Sequence, residues 1–124
     1  METPTTDDVR AALGGLDAHQ QKIVVGLLSV MVNEPQRVRE REWLAERLTE
    51  LTLLTGEFEA DTPQGGVQAV EAYLLENSGR LLRAAMLLFQ RVGIDLAPRA
   101  KAGGFTFEDA VQTGLAYMPG ATAR

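Results

Sequence analysis

Two segments of this chain are too apolar to lie at a surface: Ile23 to Val32 (IVVGLLSVMV) and Leu81 to Val92 (LLRAAMLLFQRV). At about 100° per residue, Lys22, Gly26, Ser29 and Asn33 fall in a strip of about 60° on the first, and every other residue there is apolar. A helix with so narrow a polar strip must be covered on several sides. A chain of 124 residues has few elements to provide that cover. The expected architecture is therefore an all-α, compact bundle of four to five helices without a sheet, completed by a second copy of the chain.

The bulk properties narrow the class. A chain of this length is one domain on the usual size scale. Hydrophobic residues make up 45% and charged residues 23%, which is globular rather than disordered. The net charge of −5 opposes nonspecific binding to nucleic acid or to an anionic membrane, because both require neutralising phosphate. The absence of cysteine removes disulfides, thiol catalysis and thiolate metal sites. The start, METPTTDDVRAALGG, is acidic and lacks the apolar core of a secretory signal, and no apolar run approaches the ~20 residues of a membrane span. A cytoplasmic protein is expected.

Punctuation residues set the expected helices. Threonines before Asp7 and Asp8, with Gly14-Gly15 at the far end, give a helix over 6–14. Asp17 caps a second over 18–33, with Gln20 in the reciprocal position of a capping box. Asn33-Glu34-Pro35 stops it, and Pro35 can open a third helix over 35–55 whose inner stripe is Leu44, Leu48, Leu51 and Thr55. Residues 57–66 (EFEADTPQGG) read as a loop. One helical phase runs through 67–92, with Gly93 as its terminator. It is either continuous or broken near 77–79, where Ser78 would cap a new helix. Residues 98–104 (PRAKAGG) read as a flexible linker to a C-terminal helical arm over 107–117, capped by Thr106 with Asp109 three residues on.

Candidate functional residues fall into three groups. Asn77 and Ser78 interrupt the apolar face of the long helix between Leu74 and Leu81, with Tyr73 beside them. Polar groups there mark a helix break, a buried polar pair that fixes helix register, or a ligand pocket. Trp43 lies about 110° from the leucine stripe of the third helix, and Arg39 and Arg47 stand four residues to either side. It is either an interaction hot spot flanked by stacking cations or a second buried face of that helix. The arm carries Phe105, Phe107 and Tyr117, and can dock on its own bundle or on a second subunit.

The arginines of QRVREREWLAER are offset by Glu40, Glu42, Glu46 and Glu50, so this segment reads as a solvated, self-paired helix face. His19, the one histidine, has no second ligand at metal spacing, and the glycine pairs match no phosphate loop. No catalytic, cofactor-binding or metal-ligating set emerges, and no cofactor is expected. The sequence favours a non-enzymatic protein-interaction module, a homodimer acting as an adaptor or regulatory binding protein. The alternative is a small-ligand-binding or enzymatic bundle with a pocket near Asn77 and Ser78. A third possibility is an acidic regulator acting on a nucleic-acid-associated protein.

Overall fold

A computed structural model describes residues 4–55 and 63–119. Five α-helices follow in order: α1 (Thr6–Gly14), α2 (Ala18–Asn33), α3 (Arg41–Thr55), α4 (Pro63–Lys101) and α5 (Phe107–Leu115). There is no strand among the described residues. The all-α bundle expected from the sequence is what forms. Helix α2 is its axis: α3, α4 and α5 all pack on it, and α1 packs on α4.

The capping chemistry works as the sequence indicates. In α1 the Thr5 hydroxyl accepts from the Asp8 amide at 3.0 Å, and the Asp8 carboxylate accepts from the Thr5 amide at 3.1 Å. Asp17 and Gln20 repeat this at α2, and Thr106 and Asp109 at α5. Each box satisfies two backbone donors that a helix start would otherwise leave unpaired.

Several expectations are corrected. The third helix does not begin at Pro35. Residues Pro35–Arg37 form a single 3₁₀ turn, and α3 starts at Arg41. Val38 explains the break: in a continuous helix it would point about 120° from Leu44, whereas the interrupted chain buries it at 6% exposure. An Arg37–Glu40 ion pair at 3.1 Å closes the turn.

The fourth helix is longer than expected and unbroken. It begins at Pro63, inside the segment read as a loop, where a first-turn proline has no amide to lose. The rest of that expected loop, 57–62, lies outside the described residues, as does Gly56. Gly79 does not interrupt α4, Ser78 does not cap a new helix, and Gly93 does not end it. Pro98 is carried in its last turn, exposed to solvent.

Residues 98–101 belong to α4, and the turn that follows them is hydrogen-bonded back to that helix. Ala102 donates to the Pro98 carbonyl at 3.1 Å and Gly104 to the Arg99 carbonyl at 2.8 Å. Gly103 and Gly104 have φ of 137° and 112°, a region other residues rarely enter, so the turn needs glycine twice. Helix α5 ends at Leu115 rather than 117, because the chain tightens there and the Tyr117 amide donates to the Gly114 carbonyl.

Burial also corrects half of the cover argument. Ile23, Val24, Leu27, Leu28 and Met31 have 0% exposure within one copy. One copy thus covers these five side chains by itself, while Val25, Val30 and Val32 stay half-buried. Helix α4 is different: Leu81, Ala84, Ala85 and Leu88 are buried, yet Leu75 remains 87% exposed.

Two caps carry a pH dependence. Bonds from the Thr5 amide and hydroxyl, with Arg83 nearby, hold the Asp8 carboxyl below its ordinary value. Asp109 is held down in the same way by Thr106, with help from Arg99. A carboxyl depressed in the folded state stabilises it above the unfolded value, and that contribution is lost as pH falls through the folded value. Helicity should thus be constant from neutral pH down to about 4 and fall below it. An acid titration by circular dichroism of D8N/D109N should show a flatter fall than the parent; identical profiles would refute these two groups as the source.

Candidate interaction site

The polar residues of α4 are held by a bridge to α2. Gln20, buried at 6% exposure, donates from Nε2 to Asn77 Oδ1 at 3.2 Å. Asn77 also accepts from Arg80 at 2.9 Å and donates to the Tyr73 carbonyl at 2.8 Å. Gln20 Oε1 meanwhile accepts from the Asp17 amide at 3.1 Å. One glutamine thus caps α2 and fixes where α4 crosses it. The sequence offered a buried Asn77-Ser78 pair as one alternative; both residues are half-buried, and the cross-helix partner of Asn77 is Gln20, which the sequence could not name. Ser78 is half-buried, and the Tyr73 ring lies 5.6 Å from that of His19.

Neither side chain of the Asn77-Ser78 pair lines the nearby cleft. A cleft of about 540 Å³ opens between α1 and α4, with Ala11, Ala12, Ala84 and Leu87 as apolar walls and Asp8, Arg80 and Arg83 as its charged groups. Arg80 connects it to the bridge, through Asn77.

Trp43 adopts the buried alternative, at 3% exposure within the single core cluster. The guanidinium over its ring belongs to Arg37, 5.2 Å from the centroid, and not to Arg39 or Arg47. Arg47 pairs with Glu50 at 2.8 Å and Glu46 at 3.6 Å, while Arg39 is exposed. The structure therefore does not assemble Arg39, Trp43 and Arg47 into an exposed aromatic surface. The periodicity placed Trp43 off the leucine stripe correctly but could not say that this second side is covered.

The C-terminal arm docks on its own chain. The Tyr117 hydroxyl donates to Asp95, and Arg91 Nε donates to the Tyr117 oxygen at 3.3 Å. Arg91 pairs with Asp95 at 3.0 Å and donates to the Pro4 carbonyl at 3.2 Å, so one side chain ties both Pro4 and Tyr117 to α4. The Tyr117 oxygen and the Asp95 charge raise the Arg91 pKa above its ordinary value. The Arg91–Asp95 pair has helical i, i+4 spacing and was legible in principle; Tyr117 and Pro4 as its partners were not. Phe105 and Phe107 stay outside the clamp, 41% and 50% exposed.

Uncovered apolar side chains are the remaining surface feature. Leu54 is 81% exposed and Leu75 87%, with Leu53, Val67 and Ile94 also open. Among the described residues no three His, Asp or Glu side chains are grouped as metal ligands would be, and no helix is long and apolar enough to cross a membrane. No protein-family model matches the chain, no curated protein matches its sequence, and no solved structure matches its fold.

The bridge gives a direct stability test. Asn77→Leu should cost roughly 1–3 kcal/mol, because Gln20 is left as a buried donor without an acceptor. Adding Gln20→Met should recover part of that loss, since replacing both partners removes the unmet group. Urea melts of the four-member cycle measure this; additive losses would mean that the two side chains do not act together.

Proposed function

We propose that the chain is a non-enzymatic helical module that works by binding protein, first a second copy of itself, in an adaptor or regulatory role. The observation that carries this reading is the uncovered apolar surface. After the described helices have packed, seven large hydrophobic side chains remain exposed, and two of them are aromatic. Single exposed leucines are ordinary, so what supports this reading is their number together with the high exposure of Leu54 and Leu75. Burying one leucine fully is worth about 1.5–3 kcal/mol, so burying these side chains from both copies supplies a driving force against the cost of association. Sedimentation velocity from about 1 to 100 µM should give a concentration-dependent shift from one copy to two. A single unchanging monomer across that range would remove the support for this reading.

A second reading is favoured by the cleft between α1 and α4. Two guanidiniums against the single carboxylate of Asp8, beside an apolar wall, suit a small acidic ligand with a hydrocarbon part. A ligand that binds only the folded state raises the melting temperature. A panel of small carboxylates and phosphate esters should therefore include compounds that raise it in the parent but not in Arg83→Gln. Equal shifts in both proteins, or none, would dismiss the cleft.

A further inference from the structure

Beside its buried face, α4 carries a second apolar line. Leu75, Gly79, Leu82, Met86, Phe89 and Gly93 follow one another at steps of four, three, four, three and four, which is heptad spacing. At about 100° per residue they stay within about 80°, centred about 120° from the buried line of Leu81, Leu88 and Val92. The line is open at its ends in the single copy, while its middle also packs against the core. Leu75, Gly79 and Gly93 are exposed, and Leu82, Met86 and Phe89 are half-buried. Nothing lies within 4 Å of where a Cβ on Gly79 or Gly93 would stand.

The line fits itself when reversed. Let a second α4 lie antiparallel to the first, about a two-fold axis between Leu82 and Met86. Leu75 then faces Gly93 of the second copy, Phe89 faces its Gly79, and Leu82 faces its Met86. Each large side chain meets the space over a glycine, and two of similar size meet at the centre. A parallel pair in register would set Leu75 against Leu75 and Gly79 against Gly79, leaving the glycine levels empty. Interdigitation of large with small favours the antiparallel arrangement. A contact about 28 Å long between two helices, flanks included, buries on the order of 1,000 Å² over both chains, about where specific interfaces begin.

We propose that a second copy of this chain docks on this line, α4 against α4, antiparallel and in that register. The proposal rests on the association reading above and names its surface. The chain contains no cysteine, so introduced thiols report without background. Full-length L75C and G93C should form a disulfide dimer under mild oxidation when mixed, and neither should do so alone. In the antiparallel pair, like positions are about 27 Å apart along the axis. A covalent dimer of L75C alone would indicate parallel pairing and overturn the register.

L75E, at a position 87% exposed, should keep its helicity and weaken self-association at least tenfold in sedimentation, because the charge is buried at the contact. If the parent dimerises and L75E dimerises equally well, this surface is refuted while the association reading stands. If the parent stays monomeric up to about 100 µM, both fall, because no second copy docks at concentrations where a contact of this size should hold.

Discussion

The burial of α2 is the constraint on which the other elements depend. Its five fully buried aliphatic side chains are each worth about 1.5–3 kcal/mol on removal from water, a sum comparable with the whole net stability of a domain. Helices α3, α4 and α5 each take their position from the side of α2 they cover. Close approach requires small residues at two points. A Cβ on Gly26 would stand 2.6 Å from Leu51 Cδ2, and one on Gly114 would overlap the Leu28 side chain. Leu51 has a flexible end facing Gly26, so α3 could yield a little. Gly114 lies on the buried side of α5, where a side chain would require the fully buried Leu28 end to shift or α5 to move off α2.

Local signals in the sequence carried far where the chemistry is local. The three capping boxes place the starts of α1, α2 and α5 because donor and acceptor are three residues apart. The glycine turn after α4 was likewise visible as composition. The misplaced boundaries are where a distant contact decided between two local options. Val38 breaks the helix after Pro35 because burying it is worth more than continuing the helix. Asn77 does not break α4, because its amide bonds back to the Tyr73 carbonyl and outward to Gln20, 57 residues away. A glycine costs a helix roughly 1 kcal/mol, which tertiary contact along 39 residues easily exceeds.

The candidate site was less legible than the fold, for the same reason. Sequence spacing could place Trp43 off the leucine stripe but not supply its cover, and it assigned the stacking cation to the wrong arginines. Turning at 38–40 brings Arg37, six residues before Trp43, over the ring, a geometry that helical spacing does not contain. Arg91 shows the limit more plainly. Its bond to Pro4 spans 87 residues and its bond to Tyr117 spans 26. Such a clamp closes two long stretches of chain, and no local pattern announces it.

The glycines of this chain separate into two kinds, and the difference bears on how the surface is used. Gly26 and Gly114 face neighbouring side chains, so their lack of a Cβ is matched by packing inside one copy. Gly79 and Gly93 lie within α4, weaken it, and meet open space. Among the described residues nothing offsets that weakening: neither adopts a positive φ, and neither ends the helix. Both lie on the line that also holds Leu75, the most exposed large aliphatic side chain described. Internal packing in one copy accounts for neither feature. The antiparallel pairing proposed above would account for both, because it seats a large side chain over each glycine.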